Sequence, residues 1–226
     1  MKILVLNCGS SSIKYQLFDM ANNHVMAKGL AQRVGQAGST IDFRIGDDGK
    51  KTVHEMDIVD HKIGIQKIFE LLTDSSTGVL KSLSEVDAVG HRIVHGGDKF
   101  AHSVLITQEV KDAIKDCITF APLHNPPNLK GVEAIEAIMP NVKQVAVFDT
   151  SFHQTMAPEV YIYGIPYKYY RDKKIRRYGF HGTSHRYVAK RAAELLGKPI
   201  EELKLITVHL GNGASVCAID KGKSVD

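Results

Sequence analysis

Two apolar runs flank a turn of small residues in KILVLNCGSSSIKYQLFD, Lys2 to Asp19. Lys2–Leu6 reads as a buried strand, and Ser12–Phe18 alternates as its hairpin partner. Gly9 and Ser10–Ser12 leave room only for a tight turn between them. TVHLGNGASVCAID, Thr207 to Asp220, repeats the plan: apolar strand, Asn and Gly in the turn, small hydroxyl residues, second strand, Asp. Either the two are unrelated hairpins, or they are one anion-gripping hairpin used once in each of two lobes. The second use would begin a new lobe.

Further short strands are expected at His24–Ala31, Ile41–Ile45 and Lys51–Met56, separated by Gly and Asn/Asp turns. Asp60–Leu72 has helical spacing with Asp60 as cap. Val86–Val94 reads as a strand running into HGG, and Thr107–Ile118 and Asn128–Met139 as helices. Pro126 and Pro127 favour a helix start just after them. Val142–Phe148 is a buried strand ending at Asp149, Thr183–Leu196 a helix stopped by Gly197, and Leu203–Leu210 and Ser215–Ile219 are strands. Strands first, then helices alternating with strands, predict an α/β fold.

The chain has 226 residues, 43% hydrophobic and 24% charged, ample for one large domain or two smaller ones. Net charge is +4, with basic residues scattered except in KYYRDKKIRR, Lys168 to Arg177, so no nucleic-acid-binding stripe is expected. Cys8, Cys117 and Cys217 are far apart and no CxxC occurs. Reduced, mostly buried thiols in a cytoplasmic protein are the expectation. No stretch reaches membrane-spanning length, and the N-terminus reads as a strand rather than a signal peptide.

Several motifs carry chemistry. Asn7, Ser10, Ser12 and Lys14 in the first hairpin, and Gly211, Asn212 and Gly213 in the second, supply amides, neutral donors and a charge for an anion. There is no GxxxxGK[ST] loop. In GHRIVHGG, Gly90 to Gly97, Arg92 is flanked by apolar residues. Such a charge is either ion-paired or clamps a carboxylate or phosphoryl oxygen. His124, in FAPLHNPPNL, is either an ordinary surface or core histidine or a donor to an oxyanion. Asp149, in VFDTSFHQTM, follows a buried strand, where it either caps a helix, holds Mg2+ through water or acts as a base. RYGFHGTSHRYV, Arg177 to Val188, opens a helix beside His181 and Gly182, an anion site if not merely a cap. His181 and His185 are four apart with no evident third zinc ligand. No GxSxG elbow is present. One arginine, two histidines, an aspartate and two donor-rich turns suit phosphoryl transfer, which needs positioning and charge stabilisation more than covalent chemistry.

On NCGSSSIKYQLFD, VGHRIVHGG, FAPLHNPPN, VFDTSFHQTM, YGFHGTSHRYV and HLGNGAS, in that order along the chain, the sequence resembles the acetate kinase family, in the acetate and sugar kinase/Hsp70/actin superfamily. The resemblance implies an actin-like ATPase (ribonuclease H-like) lobe, a mixed sheet flanked by helices, over residues 1–150, lacking its C-terminal piece. It implies the beginning of a second, nucleotide-binding lobe over 151–226. The implied reaction is reversible transfer of the ATP γ-phosphoryl group to acetate, giving acetyl phosphate and ADP. By motif, Arg92 would bind carboxylate and phosphoryl group, His181 would stabilise the transition state, His124 would assist, and Asp149 would place the reacting groups. Val94, Leu123 and Phe180 would form the methyl pocket. Asn7, Ser10, Ser12 and Lys14 would line the first phosphate turn, and His209, Gly211, Asn212 and Gly213 would grip ATP. Mg2+ (or Mn2+) is the implied cofactor, near Asn7 with a glutamate absent from this chain, and near Asp149 through water.

Family members are longer and continue beyond GKSVD, so a truncated, weakly active or inactive piece is expected. The full-length family protein would be a cytoplasmic homodimer, with no membrane or nucleic-acid partner. The alternatives are a propionate or butyrate kinase, or a non-catalytic nucleotide- or anion-binding module.

Overall fold

Alternation of apolar and polar side chains lays down the first sheet. In the computed structural model, which describes residues 1–226, the chain divides into two compact units. The first comprises Met1–Ile93 and Val104–Ala146, and the second Val94–Ser103 and Val147–Asp226.

The first unit contains β1 (Lys2–Cys8), β2 (Ser12–Asp19), β3 (His24–Gln32), β4 (Thr40–Ile45), β5 (Thr52–Glu55), α1 (His61–Leu72), β6 (Ala88–Ile93), β7 (Val104–Leu105), α2 (Gln108–Asp116), α3 (Asn125–Ile138) and most of β8 (Lys143–Phe148). The sheet order is β5-β4-β3-β2-β1-β6-β8-β7. Strands β1 to β5 are joined by antiparallel pairings, whereas β6 lies parallel to β1, so the sheet is mixed. Leu4, Leu6, Cys8, Ile13, Tyr15 and Leu17 are buried on one face of β1 and β2. Helices α1 and α3 pack together over that region. A Cβ on Gly64 would lie 2.7 Å from Ile13, and one on Gly131 2.6 Å from the Cys8 sulfur, so both helices approach the sheet where glycine permits it.

The expected helices form with adjusted ends. Asp60 caps α1, accepting from the Ile63 amide at 2.8 Å, and Thr107 caps α2. Helix α3 starts at Asn125 rather than Asn128, with Pro126 and Pro127 inside its first turn. First-turn amides lack intrahelical partners, and proline has none to lose, so the prolines begin the helix instead of preceding it. The short strand β7 lacks the length to register as a period.

The second unit holds α4 (Pro158–Tyr161), α5 (Lys168–Lys173), α6 (Gly182–Leu196), β9 (Lys204–Leu210), β10 (Ala214–Asp220) and β11 (Lys223–Ser224). The three strands form one antiparallel sheet ordered β11-β10-β9. Ala189 of α6 packs with Cys217 and Ile219 against one face, while Ile206, Val208 and Val216 are exposed. Gly197, at φ 62, ends α6 as expected. Helix α6 starts at Gly182, one residue before the expected start.

The basic run Lys168–Arg177 is partly structural. Lys174 pairs with Asp98 at 3.5 Å and Arg171 with Asp172 at 2.6 Å. Arg176 is buried, its guanidinium 3.5 Å over the Tyr161 ring. Cys8, Cys117 and Cys217 are all buried, and burial pushes the Cys8 thiol up to about 12. No helix is long and apolar enough to cross a membrane.

His91, buried in β6, lies 2.7 Å from the Gln144 side-chain oxygen, and burial holds its pKa down at about 4. Above the ordinary value of about 6.5, both folded and unfolded chains are neutral there and the full stability is present. As pH falls from there toward about 4, only the unfolded chain takes up the proton, and stability drops by roughly 3 kcal/mol. Buried His95 and His185 shift in the same direction. Urea midpoints at pH about 7 and about 4.5 should therefore differ, and His91→Asn should shrink the difference. Equal midpoints would contradict the neutral buried histidine.

Candidate active site

In the first unit, the strand–turn–strand sequence positions the first donor-rich turn. Cys8 pairs with Ile13, and the Gly9 amide donates to the Ser12 carbonyl at 2.8 Å. Two side chains outside the hairpin hold this turn. His61 Nε2, at the start of α1, lies 2.6 Å from the Gly9 carbonyl, and Asn128 of α3 donates to the Cys8 carbonyl at 2.7 Å. With those carbonyls engaged from behind, exposed Ser10 stands at the tip.

Register then assembles a polar row. Asn7 pairs directly with Lys14, and since opposed residues share a face, both leave the core side to Leu6, Cys8, Ile13 and Tyr15. The Arg92 guanidinium, from β6, donates to Asn7 Oδ1 at 3.5 Å. Lys14, exposed within β2 rather than in the turn, also lines a depression with Lys28, Arg44 and Lys51. Two of those cations are paired, Lys28 with Asp47 at 2.7 Å and Lys51 with Asp42 at 2.8 Å. Leu123 and His124 lie at the start of α3 with both side chains exposed. His124 has helical backbone angles and its side chain does not cap the helix.

The second unit assembles a histidine cluster around the start of α6. His181 adopts φ 55, a left-handed conformation uncommon for a residue other than glycine. The following amide, of Gly182, donates to the Asp149 carbonyl at 3.0 Å, and a Cβ on Gly182 would lie 2.9 Å from that of Phe152. Asp149 itself is 1% exposed at the carboxyl end of β8. His181 stacks on His209 of β9 with ring centroids 4.2 Å apart. The second turn closes through the Gly211 amide donating to the Gly213 carbonyl at 3.0 Å. A Cβ on Gly213 would come within 3.3 Å of the His181 ring, so that turn lies against the imidazole. Phe180 is partly exposed and Val94 buried; His95, next to Val94, meets the Phe180 ring edge-on at 5.6 Å.

Behind His181 stands His185, weighed in the sequence only as a metal partner, with Ser215 and Thr207, which motif reading did not single out. Ser215 Oγ lies 2.8 Å from His181 Nδ1 and 2.8 Å from His185 Nε2. His185 Nδ1 lies 2.7 Å from Thr207 Oγ1. Burial, then the neighbouring His153, His181 and His209, press the His185 pKa down to about 4. His153 is bracketed by Ser224 at 2.8 Å and the Phe180 carbonyl at 3.0 Å, and is shifted down chiefly by burial. The one sequence signal for His185 is its four-residue spacing from His181, whose carbonyl accepts from the His185 amide at 3.0 Å across the first turn of α6. No spacing links either histidine to Ser215, 30 residues beyond His185.

The expected residues thus fall into two groups. Asn7, Ser10, Ser12, Lys14, Arg92, Leu123 and His124 belong to the first unit. Val94, Asp149, Phe180, His181, His209, Gly211, Asn212 and Gly213 belong to the second.

Residues 2–226 match the model of the acetokinase family. An acetate kinase of Dictyoglomus turgidum is 61% identical over 226 residues, which are all of this chain and 56% of the relative. A crystal structure of Porphyromonas gingivalis acetate kinase superposes with TM-score 0.93 at 51% identity, covering 100% of this chain and 56% of the other. A propionate kinase from Francisella tularensis gives TM-score 0.91 at 40% identity over the same shares. This chain therefore spans just over half the length of the relatives it matches. The actin-like α/β fold expected from sequence agrees with these superpositions and with the helix-flanked mixed sheet. The chain belongs to the acetokinase family.

Proposed function

We propose that this chain carries the phosphoryl- and acyl-handling part of an acetate kinase, acting between ATP and acetate. The observation that supports this most is the pairing of Arg92 with Asn7 on one face of β1 and β6, beside a donor-rich turn held from behind. In the reaction, an acetate oxygen attacks the γ-phosphorus and ADP leaves, with charge spread over the equatorial phosphoryl oxygens. Arg92 neutralises that charge and orients the carboxylate. Asn7, Ser10, Ser12 and the first-turn amides donate to phosphoryl oxygens, with Lys14 as a nearby charge. His181 donates to phosphoryl oxygen, and His124 assists. His209 and the Gly211–Gly213 turn take the ATP phosphates. Val94, Leu123 and Phe180 receive the methyl group. Residues 1–150 on this reading are most of a first lobe, and 151–226 the beginning of a second.

Mg2+ takes one or two carboxylates together with waters and substrate phosphates. Buried Asp149, at a strand end, would act on the ion through water, and Asn7 would offer a neutral oxygen; no group of three or more His, Cys, Asp or Glu side chains stands ready to hold a metal without substrate phosphates. Bound there, the ion would offset phosphate charge.

Incubation of this chain with acetate, ATP and Mg2+, trapping acyl phosphate as hydroxamate, tests the reading. Because the chain spans 56% of its relatives' length, at most weak acetate- and ATP-dependent hydroxamate is expected, with less from propionate and butyrate, since a methyl-sized pocket discriminates chain length modestly. A better yield from propionate would favour the activity named for the Francisella tularensis relative. ATP binding without product from any acid would leave a non-catalytic binding module.

A further inference from the structure

The Ser215 hydroxyl sits between two imidazole nitrogens, His181 Nδ1 and His185 Nε2, each at 2.8 Å. A hydroxyl has one proton to donate, and a neutral imidazole has one protonated and one bare nitrogen. Ser215 can donate to only one of the two rings, so it accepts from at least one of them. The two nitrogens that face it cannot both be bare, which couples the proton positions of the two histidines. His185 is 1% exposed, and burial keeps it neutral through the physiological range. It does not become a double donor, which would compete with the Thr207 hydroxyl or with Ser215. Its Nδ1, 2.7 Å from Thr207 Oγ1, ties the far end of the chain to β9.

We propose that Ser215 and His185 are positioning residues for His181, and that the run Thr207–His185–Ser215 holds the His181 proton on Nε2. In this arrangement Thr207 donates to His185 Nδ1, His185 Nε2 donates to Ser215, and Ser215 donates to His181 Nδ1. The His181 N–H is then on Nε2, which lies 3.5 Å from where a Cβ on Gly213 would stand, facing the second turn. Stacking on His209 holds the ring plane. The direction of the chain rests on the reading of His181 as a donor to phosphoryl oxygen; that at most one of the two facing nitrogens is bare rests on proton counting alone. Neither residue touches substrate on this account, and both act through His181.

The test is long-range 15N–1H NMR of the whole chain labelled at histidine, at a pH where His181 is neutral. This reads the tautomer directly and requires no turnover. Separate protonated Nε2 and bare Nδ1 signals are expected for His181, and protonated Nε2 for His185. Ser215→Ala should bring the two His181 nitrogens toward a common, averaged shift. Ser215→Thr, which keeps the hydroxyl, should restore the separation. Thr207→Val, similar in shape but without a donor, should average His185 and, through Ser215, His181. His181 protonated on Nδ1, or a His181 spectrum unmoved by Ser215→Ala, would overturn the proposal. The hydroxamate assay tests phosphoryl transfer separately, so either idea can fail alone.

Discussion

On the proposed phosphoryl-transfer reading, Arg92→Ala is expected to lower whatever acetyl phosphate formation accompanies this chain by about 10²–10³-fold or more, the range for removing one transition-state donor. Arg92 is half-buried on β6 between core residues His91 and Ile93. Its side chain leaves the sheet on the opposite face, toward Asn7 Oδ1. Truncation there removes the guanidinium without opening the core, so a change in rate is separable from unfolding. Arg92→Lys should recover only part of the rate, because an ammonium is a point charge and lacks the planar fork that holds two oxygens. The hydroxamate trap with all three proteins at equal concentration gives the answer. Near-normal product from the alanine variant would remove Arg92 from the reaction.

The second large effect falls on stability. Phe148, at the end of β8, is fully buried and stacks on Phe100 with ring centroids 4.5 Å apart and planes parallel. The Gly96 backbone lies against the same ring, where an added Cβ would stand 2.5 Å from it. Phe148→Ala should cost about 3–5 kcal/mol, because rigid backbone on one side and Phe100 on the other limit collapse into the cavity. The loss should appear in urea unfolding as a lower midpoint. The residue immediately precedes Asp149, so softening here should also loosen the Asp149 carbonyl that accepts from Gly182. A loss below about 1 kcal/mol would mean that the site closes up around the missing ring.

Strand and helix positions were legible because each has its own period. Ile13, Tyr15 and Leu17 alternate, and Ile65, Ile68 and Leu72 recur at helical spacing; these are core residues in the structure. The helix starts at Asn125 and Gly182 were read late. A proline in the first turn and a left-handed residue just before it do not disturb a helix in the way the same residues would farther in. Short elements such as β7 and α4 carry too few residues to show a period. For the candidate site, motif reading nominates the arginine, the histidines and both turns. It missed what holds them: His61 and Asn128 behind the first turn, Ser215 and Thr207 behind the histidines.

Sequence by itself determined the hairpins, the α/β succession and the family, because each is written in local pattern or in runs of identity along the chain. Tertiary structure decided which side chain meets which. The Lys14–Asn7–Arg92 row depends on strand register and on a parallel pairing of β1 with β6 across more than eighty residues. The Ser215 bridge depends on α6 packing onto the β9–β10 hairpin. Both are consequences of burying one face of a sheet under helices. That burial brings distant polar groups together on geometry alone, and no local spacing records it.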